Sequence, residues 1–270
     1  MSEITKISRQ KKNAERYNIY LDNKYAFSVD ENVLVQFQLT KGKELDDLTI
    51  DEMVFEDEVR KAFNKALHYL GFRMRSEFEV KKKLLDSEFG EAVVLEAIQK
   101  LNELGFLNDE TFTQALLNTQ KATGKKGPKS IRQEFRKKGI DKELQEEILS
   151  TYSEKEQISI ATELAEKVAR TERGKTPFQV KQKIQETLLR KGYGFEVIGQ
   201  VVEIVEIELE EDDWDLLLNK QGEKIWNKYS GKYKGSELHY RVKQALYQKG
   251  VPSERIDRFI ERKEAEEDGE

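Results

Sequence analysis

The sequence predicts a mainly α-helical protein: tandem three-helix repeats in an elongated, curved stack, preceded by a small module containing a β-hairpin. Three observations carry this. Charged and apolar residues each make up 37% of the 270 residues, with only three prolines and sixteen glycines, a balance suited to helices with much surface for little core. From Asp51 onward apolar residues recur three and four positions apart, the period of a helix with one buried face. Finally, Lys138-Gly139-Ile140, Lys191-Gly192-Tyr193 and Lys249-Gly250-Val251 close three segments in the same way, the mark of a repeated unit.

The N-terminal stretch reads differently. Tyr17, Ile19, Leu21 and then Tyr25, Phe27, Val29 alternate around Asp22-Asn23, which predicts a hairpin whose turn uses residues tolerant of left-handed angles. Ile4 and Ile7 place a third strand beside it, because a lone hairpin is marginal in water. Residues 30–39, DENVLVQFQL, fit helix or strand equally, and TKGKELDD reads as a turn region.

The first three-helix unit follows. Val59, Phe63, Ala66, Leu67 and Leu70 line one helix that ends at Gly71. Ser76 and Glu79 form a capping box for the next, with Val80 and Leu84 as its buried stripe. VVLEAIQKLNELG (93–105) is the third and stops at glycine. Leu84, Phe135, Leu188 and Leu246 stand at equivalent places in four middle helices, 51, 53 and 58 residues apart. The first copy departs from the pattern, with Glu88-Phe89 where the others have glycine and an apolar residue. Entry signals recur at Gly127-Pro128, Thr176-Pro177 with Gln179, and Ser236; proline at the first helical position loses no helical hydrogen bond. The expected divisions are 1–50 for the β-containing module, repeats at 51–110, 111–158, 159–209 and 210–263, and an acidic tail at 264–270. The Lys-Gly pairs themselves are ordinary end-capping chemistry on this reading.

Composition excludes several classes. No run reaches the ~18 apolar residues of a membrane span, and MSEITKISRQKK lacks the apolar core of a secretory leader. Without cysteine there is no disulfide, thiolate nucleophile or sulfur-ligated metal, and a cytoplasmic protein is expected. The acidity is local: 206–215 holds seven acids and 264–270 five, and without them 47 basic residues face 40 acidic ones. Such asymmetry suggests charged partners.

Nothing reads as catalytic, and no cofactor or metal is expected. His68 and His239 sit in separate helices beside aromatics. GKKGPKS (124–130) does not meet the phosphate-loop spacing and follows no strand. The acids of 206–215 could take a divalent cation, but a solvated helix end or linker is the favoured reading. Basic residues gather near the start of each middle helix: Arg73, Arg75, Lys81 and Lys82; Lys125, Lys126, Lys129, Arg132 and Arg136; Lys175 and Lys181, with Arg173 nearby; Lys234, Arg241 and Lys243. These fourteen, Arg173 aside, are the candidate contacts to a polyanion or protein, because helix starts and cations both favour phosphate. The alternative is a merely solvated charged face. Tyr229, Tyr233, Tyr240 and Tyr247 interleave as candidate stacking platforms. The third helices, such as DKELQEEI and SERIDRFI, are too acidic or mixed for base-specific reading.

Taken in order, RSEFEVKKKL (75–84), AIQKLNELGFLNDETF (97–112) and FRKKGI (135–140) resemble the RecX family of bacterial recombination regulators, most closely its longer Gram-positive members. The resemblance spans the chain and is strongest over 60–150. It implies a monomer of three-helix repeats that binds RecA or the RecA–single-stranded-DNA filament. It further implies modulation, mostly inhibition, of RecA's ATPase, strand-exchange and coprotease activities in recombinational repair and the SOS response. The family carries no catalytic residues across. A helical-repeat module that binds DNA directly, without RecA, is the alternative.

Overall fold

The computed structural model describes residues 1–11, 13–172 and 174–267, so Arg173 and the last three residues of the acidic tail lie outside the described residues. The chain divides into two compact units, Met1–Leu116 with Phe135–Glu146, and Leu117–Glu134 with Glu147–Glu270.

The first unit opens with an antiparallel sheet ordered β3-β2-β1-β4: β1 Ser2–Arg9, β2 Arg16–Leu21, β3 Lys24–Asp30 and β4 Glu44–Leu45. The hairpin turns at Asp22 and Asn23, whose φ values of 49° and 65° are both left-handed. Ile4 and Ile7 lie on the expected third strand, with Ile7 opposite Ile19. The undecided stretch 30–39 is helical: Asp30 accepts from the Asn32 N–H and starts α1, Glu31–Gln36. β4, read as turn from sequence, is a two-residue strand pairing with Ser2 and Glu3, too short to show an alternating pattern. Ile4, Ile19, Val29, Val33, Leu45 and Met53 close this core. A buried ion pair fastens it: Arg16 Nη2 lies 2.7 Å from Asp57 Oδ2, and the Asp30 N–H donates to Asp57 Oδ1 at 2.8 Å.

Asp57 belongs to α2, Asp47–Leu70, started by Asp46, which accepts from the Thr49 N–H. Packed against it are α3, Glu77–Leu85, and α4, Glu91–Glu103, around Val59, Phe63, Val80, Leu84, Ile98 and Leu101. The Ser76–Glu79 capping box is present on both sides. α5 (Asp109–Ala122), α6 (Pro128–Lys137) and α7 (Lys142–Ser150) follow.

In the second unit α8 (Glu154–Thr171), α9 (Pro177–Lys191) and α10 (Phe195–Ile204) share a core centred on Ile184, Leu188 and Tyr193. The last set is less regular. α11 (Glu211–Leu217) runs through a π-turn, Leu218–Gly222, into α12 (Glu223–Ser230), and α13 (Gly235–Tyr247) and α14 (Ser253–Glu267) pack on it around Trp214, Trp226, Val242, Leu246 and Phe259. A Cβ on Gly222 would come 2.8 Å from the Phe259 ring, so the widened turn lets that ring close on the backbone. α14 runs to Glu267, so the first acids after 263 are helical.

All four middle helices, α3, α6, α9 and α13, end alike. The amide five residues beyond the last buried stripe residue donates back to it: Phe89 to Leu84, Ile140 to Phe135, Tyr193 to Leu188 and Val251 to Leu246, at 3.1–3.4 Å. All four acceptors are fully buried. The residue before each of those amides is left-handed: Glu88 at 65°, Gly139 at 69°, Gly192 at 89° and Gly250 at 80°.

Candidate partner-binding surface

The starts of α3, α6 and α9 are not free ends, and the candidate cations gather there only in part: Lys82 and Arg136 stand instead in the last turns of α3 and α6. Within the first unit, Ser76 Oγ donates to the Lys138 carbonyl at 2.7 Å, and Phe78 lies so close over Gly139 that any Cβ there would overlap it. Lys138 Nζ completes the contact on Glu79 Oε1 at 2.7 Å, and Arg73 Nη2 reaches the same oxygen at 2.9 Å. Burial pushes the Glu79 carboxyl up, but hydrogen bonds from Arg73, Lys138 and the Ser76 N–H outweigh it and hold the pKa down at about 2.

The second unit repeats the contact twice. Thr176 Oγ1 donates to the Lys249 carbonyl and Phe178 covers Gly250, the same hydroxyl-and-phenyl arrangement as at Gly139. At α6 the joint is backbone on backbone instead. Gly127 N–H donates to Lys191 O at 2.8 Å and Lys129 N–H to Gly192 O at 3.1 Å. A Cβ on Gly127 would lie 2.5 Å from Tyr193 N, and one on Gly192 would lie 2.5 Å from Ser130 N. The Lys-Gly pairs read as helix stops therefore also seat the start of another helix.

This seating shapes the basic loop 124–129. Lys191 Nζ donates to Gly124 O at 2.9 Å and Tyr193 Oη to Lys125 O at 3.2 Å, which holds Lys125 at φ 46°. Lys125, Lys126 and Lys129 are thereby displayed from one fixed loop. Two of them are already paired: Lys125 with Glu163, and Lys126 with Glu134 at 3.5 Å. Lys129 is exposed, its ammonium 5.5 Å from the Phe195 ring centre.

The other candidates sort the same way. Lys175 pairs with Glu172 at 2.7 Å, Arg241 with Glu237 at 3.6 Å and Lys243 with Asp257 at 2.7 Å. Lys81, Lys82, Arg136 and Lys234 are exposed, whereas Arg132 and Lys181 are half-buried. Arg75 stacks on Tyr69, its guanidinium 3.8 Å from the ring centre. Of the four tyrosines, Tyr240 and Tyr247 are exposed, while Tyr229 and Tyr233 pack against the core below α13. His68 meets Phe72 edge-on, and His239 stacks near Trp226 with Glu264 3.1 Å from its Nε2. Of the acids in 206–215, Glu211 takes Arg255 through two hydrogen bonds of 2.7 Å. Among the described residues no group of three or more His, Asp or Glu is arranged to hold a metal ion, and no helix is long and apolar enough to cross a membrane.

Sequence reasoning missed Glu134, Glu163, Lys191 and Tyr193 as parts of this surface. The first two are single acids on helices with no local signal, and the last two were visible only as a helix end.

Comparison with known proteins agrees with this architecture. The model of the RecX N-terminal domain matches residues 2–46, those of the first and second RecX three-helix domains match 62–101 and 108–149, and that of the third matches twice, at 154–202 and 211–260. The chain is 44% identical over 265 residues to the regulatory protein RecX of Bacillus subtilis (strain 168), covering 98% of this chain and all of that one. It is 40% identical to that of Halalkalibacterium halodurans, covering 96% and 99%. A crystal structure of a regulatory protein RecX superposes with a TM-score of 0.65 at 36% identity, over 75% of this chain and all of that one. RecX from Lactobacillus salivarius gives 0.53 at 32%, over 56% and 99%. With its N-terminal strand module and its three-helix domains each matched in order, the chain belongs to the RecX family.

Proposed function

We propose that this protein is a non-catalytic regulator that binds RecA, or the filament RecA forms on single-stranded DNA, and restrains its ATPase, strand-exchange and coprotease activities in the cytoplasm. The observation that carries the reading is the match to proteins named as regulators over almost the whole chain, N-terminal module and all repeats included. The surface suits it. Successive middle helices and their entries present exposed cations, among them Lys82, Lys129 and Lys234, and contacts of modest strength joined in one chain gain avidity when their spacing suits the target. The test is RecA ATPase on single-stranded DNA with increasing amounts of this protein. Hydrolysis falls at sub-saturating coverage of the DNA; an unchanged rate at one regulator per RecA rejects the reading.

Direct binding to DNA is the second reading, favoured by the fixed loop bearing Lys125, Lys126 and Lys129. It predicts an affinity for single-stranded DNA, measured without RecA, that falls steeply with salt as counterions are released. Charge reversal at Lys129, which spends its charge on no ion pair among the described residues, then weakens that binding and leaves helicity unchanged.

A further inference from the structure

The first unit carries a cleft of about 510 Å³ between the end of α2, the segment after α4 and the start of α5, lined by Leu67, Leu70, Met74, Arg75, Phe106 and Phe112 among others. Its margins are unusually apolar for a chain so rich in charge. Phe72, Met74, Leu104 and Phe106 are 72%, 50%, 63% and 53% exposed, and all four lie within two positions of Gly71, Arg75 or Gly105 in the lining. Large apolar side chains left together in water mark a surface that is covered in use.

Arg75 says what kind of partner covers it. Its guanidinium lies face-on to Tyr69, its Nε is buried without a hydrogen-bond partner, and among the described residues it enters no ion pair. Neighbouring cations are spent: Arg73 and Lys138 both pair with Glu79. A guanidinium held flat on an aromatic ring keeps its edge donors in a fixed fork, the arrangement that takes a carboxylate through two parallel hydrogen bonds. A row of cations, as phosphate backbone requires, is not found in the lining; a single fork beside apolar walls fits a protein segment better.

We propose that this cleft docks a segment of the protein partner in which an aliphatic or aromatic side chain enters between Met74, Phe106 and Leu70 while a nearby carboxylate engages Arg75. The inference rests on the functional reading above and identifies one of its contact surfaces.

The test measures binding of the full-length protein to RecA, with and without single-stranded DNA, and to the DNA alone. Two variants are compared with wild type: Arg75→Gln, and the double variant Phe72→Ala/Met74→Ser, whose side chains are mostly in solvent and so spare the core. Each weakens RecA binding by about tenfold or more, the usual loss for a central anchor, with DNA affinity unchanged. If Arg75→Gln fails to fold because Tyr69 loses its cover, the double variant decides. Wild-type protein that binds no RecA overturns the functional reading and this inference together. Wild-type binding retained by the folded variants overturns the cleft alone, as does a loss confined to DNA.

Discussion

Glu88 and Gly139 occupy the same place in successive repeats, with the same left-handed backbone and the same hydrogen bond closing the helix behind them. Yet one is glutamate and the other glycine. Their surroundings differ. Phe78 and Ser76 sit on Lys138-Gly139, whereas Glu88 is exposed and its side chain makes no hydrogen bond or ion pair among the described residues. A left-handed residue costs an L side chain ~1–2 kcal/mol, and the fold accepts that cost at Glu88. Glycine stands at 139, 192 and 250 because another helix start occupies the space of its Cβ. The conformation permits glycine; the neighbour requires it.

The backbone-on-backbone joint gives the largest expected effect. In Gly192→Ala the new methyl meets Ser130 N at 2.5 Å, and main chain cannot rotate aside as a side chain can. Left-handed strain plus overpacking amounts to roughly 2–5 kcal/mol, measurable as a shift of the denaturant midpoint of the full chain. A loss of only about 1 kcal/mol, within the backbone penalty alone, removes the distinction between the two kinds of position.

The sequence showed the helices but not their mutual seating, for physical reasons. A buried stripe is written locally at three- and four-residue intervals, and the middle-helix members named from that period, Val80, Leu84, Phe135, Leu188 and Leu246, are fully buried, while Leu67 and Leu70 at the end of α2 are only half-buried. A capping box is equally local, and Ser76 with Glu79 forms one. But the Ser76 hydroxyl has a second partner 62 positions away at Lys138, and no local pattern identifies the acceptor. The same limit hid the pairing of Lys125 with Glu163, so a loop legible as strongly basic is partly neutralised in the fold. The Lys-Gly repeat was legible as spelling and only half legible as cause. The substitution at Glu88, which looked like divergence, was the clue.

Gly139→Asn sharpens the comparison at the side-chain joint. Asparagine tolerates the left-handed region better than other non-glycine residues, so a purely conformational role predicts little loss. A seat predicts about 1–3 kcal/mol of destabilisation, because the asparagine Cβ still overlaps Phe78. The value should fall below that for Gly192→Ala because asparagine bears less left-handed strain than alanine, although Phe78 Cβ, 2.4 Å from the new Cβ, cannot swing away with its ring. Equal stability of Gly139→Asn and wild type in thermal unfolding removes the seat at this joint.

Acid tests the same joint from the other side. Glu79 is held at about 2 in the folded protein against an ordinary 4.5, so its ion pairs contribute fully above pH 4.5 and are lost as pH falls toward 2. Wild type should exceed Glu79→Gln in melting temperature by a constant margin from pH 7 to about 5, with the margin closing below 4.5. A margin unchanged at pH 2.5 means that the carboxylate's charge is not what Arg73 and Lys138 hold.

The smallest expected effect is the most discriminating. Glu88→Gly relieves ~1–2 kcal/mol of left-handed strain but returns roughly 0.4–1 kcal/mol of chain entropy to the unfolded state, leaving a gain of about 0–1.6 kcal/mol. A modest rise in melting temperature, or none, is therefore expected from placing glycine where the other three repeats already have it. A loss beyond ~1 kcal/mol would show that the Glu88 side chain holds something in place, and the contrast with Gly139 would fail. The sign separates the two explanations: if conformation alone chose the residue, all four positions should respond to a Cβ alike, and opposite responses at 88 and 192 are what a seated helix start produces.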